Sequence, residues 1–406
     1  MTTPTLSRGA AMAALLSLAI GSFGIGMTEF VMMGLLPQIA QDLLPELWAA
    51  SQEEAIARAG ILISLYALGV VIGAPTISAL VARYPRHWVI LGLAIALTVF
   101  NFLAVIAPTF GAVAGARLLA GLPHGAYFGM GALIAADIMG PGKRTQGIAF
   151  VLTGLTIANV VGVPAGTFLG QQLGWRLTFV VVAAVFALCA VMLAIFAPKH
   201  DGDSSRTFRE ELKVFRIGQV WLTLAVGAIG FGGFFAVYSY IAPVVTEVAG
   251  SPEWVVPIVL VLMGLGMTVG NPLGGRLGDI DLRRAMFTGF GILILSLVLL
   301  AFSAHIIWLL AACVFAVGLG SSMTSPLIQT RLMDVAADNQ SIGAALNHSS
   351  LNVGNSLGAF LGGAVIAAGW GYIAPAWVGV ALACAGVAIA YVSYAVEARG
   401  RRTVSV

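Results

Sequence analysis

Long apolar runs follow one another along this 406-residue chain, separated by short polar segments. A helix crossing a bilayer needs about 20 mostly apolar residues, and twelve stretches reach that length: 11–36, 59–82, 88–107, 110–139, 147–170, 177–197, 218–245, 255–279, 285–303, 306–332, 341–368 and 374–396. The polar breaks sort the basic residues. Arg8, Arg83 and Arg86, Lys143 and Arg144, Lys199, Arg206, Arg209, Lys213 and Arg216, Arg276, Arg283 and Arg284, Arg331, and Arg399, Arg401 and Arg402 fall on one side, with Arg58 and Arg176 on the other. Cytoplasmic loops carry the excess of Lys and Arg, so both termini are expected in the cytoplasm, as an even number of spans requires. The first run follows Arg8 as a signal peptide's apolar core would. It is longer than such a core and has no convincing small-residue cleavage site, so it reads as an uncleaved helix.

The longest cytoplasmic break, "PKHDGDSSRTFREELKVFR", is polar and mixed in charge and divides the spans six and six. It predicts two bodies, 1–198 and 218–406, joined by a linker at 199–217. The halves resemble each other. "GAPTISALVARYPRHW" from Gly73 echoes "GNPLGGRLGDIDLRRA" from Gly270, and "NVVGVPAGTFLGQQLGW" from Asn159 echoes "NVGNSLGAFLGGAVIAAGW" from Asn352. Two parallel six-helix halves about a midplane site are a transporter architecture. The expected fold is an all-α membrane protein, with twelve transmembrane helices in two pseudo-symmetric six-helix bundles.

Composition agrees: 59% of residues are hydrophobic and 9% charged, against about 25% charged in soluble domains. The 50 glycines and 16 prolines lie largely inside apolar runs, where small residues let helices approach closely in lipid. Cys189, Cys313 and Cys384 are far apart and within apolar runs, which supports neither a disulfide framework nor a zinc site. The net charge of +3 carries topology and no sign of a nucleic-acid partner.

The second-half segment "GNPLGGRLGD...RR" closely resembles the loop motif of the major facilitator superfamily, with Asp279, Arg283 and Arg284 in its charged positions. "RLLAGLPHG" from Arg117 resembles that family's fourth-helix arginine motif, and "GLTIANVVGVPAG" from Gly154 its fifth-helix glycine-proline motif, associated with antiporters. The opening "MTEFVMMGLLPQIA" resembles the arabinose-efflux-permease-like branch of the twelve-spanner drug:proton antiporters, whose relatives are linked to export of sugars, nucleosides or chloramphenicol. The resemblance covers essentially the whole chain and implies the major facilitator fold. The first-half copy of the loop motif departs from it: Arg83 and Arg86 are present but the acid is not, which shifts the gating expectation there to Asp137.

Within the spans, Glu29 stands in the apolar run "GIGMTEFVMMGLLP". It lies eight residues before Pro37, about 12 Å inward at 1.5 Å per residue if the helix ends there. Arg117 lies seven residues into the fourth span, at similar depth. The resemblance places the first and fourth helices along one cavity, so Glu29 and Arg117 are expected to face each other, directly or through water. A charge at mid-bilayer is costly unless paired or wetted. Rocking that changes hydration about Glu29 would change its proton affinity and couple transport to protons; a permanent pair fixing helix packing is the structural alternative. His124 and Phe128 share a helix face with Arg117. His124 is a candidate proton relay or ligand group, with a bond to a neighbouring helix as the alternative.

His348, Asn352 and Asn355, with Asn347 beside them, form a polar stripe on the eleventh span, and Asn159 is the fifth-span counterpart of Asn352. Such groups avoid lipid, so they are candidates for contacting a polyol, nucleoside or amide-bearing solute, or for interhelical bonding. Tyr127, Tyr238 and Tyr240 are further substrate candidates by ring stacking and hydroxyl contact. Gly154, Gly162, Pro164 and Gly166 are expected to permit close packing and a bend. Asp137 near Arg83 and Arg86, and Asp334 near Arg283 and Arg284, are candidate cytoplasmic latches, with solvated loop pairs as the alternative.

These features point to a secondary transporter without a cofactor or metal, probing a small-molecule substrate and protons, with the lipid bilayer as its surroundings. The branch resemblance implies a bacterial inner membrane; proton-coupled efflux by a monomer is the leading expectation, and a symporter or uncoupled facilitator for uptake is the alternative. An enzyme is disfavoured, because the five histidines are scattered and HExxH, GxSxG and phosphate-loop motifs are absent. A channel or receptor has no candidate filter or sensor domain to support it.

Overall fold

The computed structural model describes residues 7–50, 55, 58–199, 212–241, 244–252, 255–336 and 338–404. Twelve long helical segments account for most of them: α1 (Arg8–Leu43), α2 (Ile61–Val81), α3 (Arg86–Ile106), α4 (Phe110–Met139), α5 (Arg144–Leu173), α6 (Trp175–Phe196), α7 (Gly218–Tyr238), α8 (Val255–Ile280), α9 (Leu282–Ser303), α10 (Ile307–Val335), α11 (Gln340–Ala367) and α12 (Ala374–Val404). Their ends follow from local chemistry. Thr109 accepts from the Ala112 amide at 3.2 Å to start α4, and Asp281 accepts from the Arg284 amide at 2.9 Å to start α9. Gly140 and Gly174, at φ 75° and 94°, close α4 and α5 in a conformation other residues rarely adopt.

Among the described residues, eleven segments are both long and apolar enough to cross a membrane. The remaining one, α11, has 28 residues and carries the polar stripe of Asn347, His348, Asn352 and Asn355. Side chains on the outer faces are apolar and strongly exposed, among them Trp88, Phe168, Ile280, Trp308 and Phe360, as lipid-facing surfaces require.

Two boundaries differ from expectation in ways that matter. The first helix does not end at Pro37 but continues to Leu43. Glu29 is therefore fourteen residues from that end, about 21 Å, and deeper than a helix ending at Pro37 would place it. Span α5 is interrupted by a π-turn at Ala158–Gly162. Pro164 follows within two residues and lacks the amide that would bond the Val160 carbonyl, which favours an irregular turn there. Most of the predicted 199–217 linker lies outside the described residues; of it, Leu212–Arg216 is a short 3₁₀ turn.

The described residues of Met1–Pro141 and Phe150–Glu211 form one compact unit, and those of Gly142–Ala149 and Leu212–Val406 the other. In the first unit, α2 and α3 pack on α4, α3 packs on α6, and α1 packs on α5 and α6. The second repeats this scheme: α8 and α9 pack on α10, α9 packs on α12, and α7 packs on α11 and α12. Glycine sets the closest approaches. Gly69 and Gly73 of α2 lie against the Leu118 and Leu122 carbonyls of α4, while Gly266 and Gly270 of α8 lie against the Phe315 and Leu319 carbonyls of α10. Each of these four pairs of equivalent positions is separated by 197 residues.

A side chain at Gly73 would collide with the α4 backbone, whereas Gly92 has open space around it. Gly73→Leu is expected to abolish the monodisperse, folded protein, and Gly92→Leu to leave it intact, as read by gel filtration and thermal unfolding in detergent.

Candidate functional site

Helix α4 is the central element of the first unit: nearly every residue from Ala116 to Ala136 is buried. Arg117, His124 and Phe128 share one of its faces, and the neighbouring helices answer them with polar or aromatic groups. The Arg117 guanidinium is 1% exposed. Its Nη1 donates to the Thr28 hydroxyl of α1 at 2.8 Å. Thr28 donates in turn to Oδ1 of Asn101 on α3 at 2.5 Å, and Asn101 Nδ2 donates to the Leu97 carbonyl at 2.8 Å. Below the guanidinium lies the Tyr66 ring of α2, 4.3 Å from Cζ to the ring centre, with Phe179 of α6 at 5.6 Å. Both are within cation–π range. Tyr66 OH and His124 Nδ1 are 3.0 Å apart, and the His124 ring also packs on Phe128, centres 5.3 Å apart.

Glu29 lies next to Thr28 and is 9% exposed. The Arg117 charge bears on its carboxyl, yet the two form no ion pair among the described residues. Of the two arrangements expected, facing directly or through water, the direct ion pair is not the one formed. Arg117 instead engages the residue beside Glu29, and its Nε and Nη2 have no hydrogen-bond partner among the described residues.

The structure thus brings Glu29, Arg117 and His124 into one interior and adds three residues that sequence reasoning passed over: Thr28, Tyr66 and Asn101. Asn101 was recognisable, being an amide in an apolar run just as Glu29 is a carboxyl in one. Thr28 and Tyr66 had no such signal. Tyr127 takes a different place from the one proposed for it. Its hydroxyl donates to the Leu18 carbonyl at 3.0 Å and lies 3.3 Å from Cys189 Sγ, fully buried among α1, α4 and α6. That is a packing position, set by α4 being enclosed on all sides. Asn159 sits in the π-turn and donates to the Leu155 carbonyl of its own helix at 3.0 Å. Gly154 lies against the α1 backbone at Ala19, Gly162 against Phe23 and Met27, and Gly166 against Val31 and Thr178.

In the second unit, His348 and Asn352 are buried on α11, and Asn352 donates to the His348 carbonyl at 2.9 Å. Asn355 is half-buried. Asn347 is fully buried, with no hydrogen-bond partner at either end of its amide among the described residues. Tyr238 stacks on Phe234 with ring centres 5.2 Å apart. The Tyr240 hydroxyl donates to the Ala359 carbonyl of α11 at 2.7 Å, which ties α11 to the segment after α7 and leaves that proton committed.

The charged residues at the helix ends divide unevenly. In the first unit, Arg86 pairs with Asp137, while Arg83 donates to the Tyr84 hydroxyl at 2.7 Å. The equivalent pairing does not recur. Asp334 pairs with Arg144 at 3.4 Å, and among the described residues no pair with Arg283 or Arg284 is formed. Arg283 lies 5.5 Å from the Tyr394 ring centre, and Arg331, paired with Glu397 at 2.7 Å, lies 4.6 Å from the same ring. Arg284 pairs locally with Asp281 at 3.1 Å. Asp279 accepts from the Thr145 and Gln146 amides at 2.8 and 3.0 Å, so it caps the first turn of α5. At the position 197 residues earlier the chain has Ala82. Asn271 Nδ2 also donates to the Ala149 carbonyl at 2.7 Å, which completes the hold on Gly142–Ala149 within the second unit.

The sequence profile of the Major Facilitator Superfamily matches residues 18–280 and 254–405. The inner membrane transport protein YdhP of Escherichia coli strain K12 is 38% identical over 360 residues, covering 88% of this chain and 90% of that protein. The putative transporter AraJ of the same strain is 35% identical over 364 residues, covering 88% and 89%. The crystal structure of the human organic anion transporter MFSD10 (TETRAN) superposes with a TM-score of 0.76 at 13% identity, over 94% of this chain and 99% of that one, a likeness of fold.

Because Tyr66 holds both Arg117 and His124, its two contacts separate by substitution. Tyr66→Phe keeps the ring and loses the hydroxyl, and is expected to lower stability by about 0.6–1.5 kcal/mol. Tyr66→Leu removes the ring as well and is expected to cost about 1 kcal/mol more. Thermal unfolding in detergent measures both.

Proposed function

The chain belongs to the major facilitator superfamily, and from that premise we propose that it is a proton-coupled exporter of a small polar or amphipathic molecule, such as a sugar, nucleoside or drug. Members of this superfamily move small molecules across membranes. One observation carries the coupling proposal: Glu29, which forms no ion pair among the described residues, lies beside a buried guanidinium, Arg117, with two nitrogens that find no hydrogen-bond partner there. A carboxylate tied permanently into an ion pair exchanges its proton only at a large cost. One left free beside a fixed positive charge responds to every change in hydration around it.

The parts then take roles. Glu29 binds the proton, Arg117 supplies the fixed charge against which it is bound, and His124, held by Tyr66, shapes the same interior. On α11 the stripe of His348, Asn352 and Asn355, together with Asn159 of α5, provides neutral hydrogen-bonding groups suited to an uncharged polar solute. Tyr238 offers it a ring face. Asp279 and Asp334, which hold Thr145, Gln146 and Arg144, act as a cytoplasmic latch, because contacts made in only one state bias the equilibrium toward that state. The Arg86–Asp137 pair joins α3 to α4 inside one unit and so stiffens that unit. Both termini face the cytoplasm, a reading the distribution of basic residues supports, and the membrane is the bacterial inner membrane, where YdhP resides by its name.

The test is a ligand panel in proteoliposomes with an imposed pH gradient, reading proton flux on addition of arabinose, a nucleoside or chloramphenicol. A compound that drives flux through the wild type is expected to drive at least tenfold less through Glu29→Gln. Undiminished flux in that variant contradicts the coupling role, and collapse of the gradient without effect on solute movement indicates a facilitator. For the latch, Asp279→Asn removes the charge that caps α5, worth about 0.5–2 kcal/mol. A cysteine placed at Thr330 is then expected to react several-fold faster with a reagent added on the cytoplasmic side.

A further inference from the structure

Many hydroxyls of the spanning helices share a habit from which Thr28 departs, as do Thr178, which donates to the Gly166 carbonyl, and Ser393, which donates to Gln219. Ser17 and Ser22 of α1 donate to the carbonyls of Ala13 and Leu18, Thr98 of α3 to Ala94, Thr268 of α8 to Gly264, Ser296 of α9 to Ile292 and Thr330 of α10 to Pro326. Each satisfies itself four residues back on its own helix, the usual resort of Ser and Thr in apolar surroundings. For Thr28 that carbonyl would be Gly24. The hydroxyl instead donates across to Asn101 of α3 and accepts from Arg117 of α4. One side chain thereby ties three helices through a single oxygen.

Asn101 explains the orientation. Its amide nitrogen is engaged by the Leu97 carbonyl, which turns Oδ1 to Thr28. With its proton given to Asn101, the Thr28 oxygen presents lone pairs to the guanidinium. Arg117 needs such an acceptor, since Nε and Nη2 find none among the described residues. A stronger acceptor is next in the chain, the Glu29 carboxylate, whose charge already interacts with Arg117. A carboxylate offers a guanidinium an opposite charge and a two-pronged geometry that a hydroxyl oxygen lacks. The guanidinium is held off it all the same.

We propose that Thr28 is a positioning residue: its hydroxyl, oriented by Asn101, captures the Arg117 guanidinium and keeps it from closing on Glu29. The consequence for transport rests on the reading of Glu29 as the coupling carboxylate; the contact itself does not. Held in this way, Arg117 exerts its field on Glu29 without consuming the carboxylate, which stays free to exchange a proton. Loss of the hydroxyl frees the guanidinium to seek the one anion beside it.

The test is a substitution cycle on the full chain purified in detergent, read as melting temperature near neutral pH. In the wild-type background Glu29→Gln removes no ion pair. In Thr28→Val, which keeps the shape of the side chain, it removes the pair that has formed. Glu29→Gln is therefore expected to lower the melting temperature by about 2–4 °C more in Thr28→Val than in the wild type, and Thr28→Ser is expected to restore the wild-type response. An equal effect of Glu29→Gln in all three backgrounds overturns the proposal. If Thr28→Val fails to fold, Asn101→Leu, which releases the hydroxyl from its orientation, enters the same cycle with the same two outcomes. Proton flux in Glu29→Gln is measured separately: if it persists, the coupling reading falls while the cycle still decides the role of Thr28.

Discussion

A guanidinium enclosed by membrane-spanning helices costs about 2.5–3.5 kcal/mol even on the most lenient scale, and the first bundle is arranged around that cost. Arg117 is 1% exposed, so bulk solvent does not reach it. Four helices share the cost. Thr28 of α1 supplies an acceptor, Asn101 of α3 orients that acceptor, Tyr66 of α2 lies beneath the cation, and Phe179 of α6 encloses it. Each partial compensation also fixes a helix against α4. The charge that is expensive to bury is therefore what sets the register of its neighbours.

That compensation is incomplete, and the incompleteness has a function in the mechanism proposed above. A fully satisfied Arg117, paired with Glu29, would be a structural strut. In that mechanism the two nitrogens and the carboxyl, without partners among the described residues, would leave the site responsive to protons and water. The second unit treats its charges differently. Arg331 is paired with Glu397 and lies on the Tyr394 ring, which also faces Arg283. With Arg283 so placed, Asp334 is left to Arg144. The internal repeat preserves the helix scaffold, down to glycines 197 residues apart, while the polar groups on that scaffold have diverged into separate tasks.

Which of these features could be read from the sequence follows from their physical range. Spans announce themselves because lipid demands long apolar runs, and the glycine pairs because they recur in both halves. A carboxyl in such a run, as at Glu29, is visible by its cost alone. Partner choice is not, since it depends on which face of which helix arrives within 3 Å. Thr28 and Tyr66 are unremarkable residues until α4 brings Arg117 to them. Tyr127 was a candidate by its ring and hydroxyl alone, and the helix face it occupies turns that hydroxyl to Leu18 and Cys189. At the helix ends, the repeat implied an Asp334 partnership like that of Asp137, and Tyr394, far along the chain, altered it.

The central claim is that Glu29 is an exchangeable carboxyl within the membrane, kept unpaired beside Arg117. Infrared difference spectra of the reconstituted protein, recorded between acidic and alkaline buffers, address it directly. A protonated-carboxyl band that appears with acid in the wild type and is missing from Glu29→Gln is the predicted result. Identical spectra from the two proteins would contradict it.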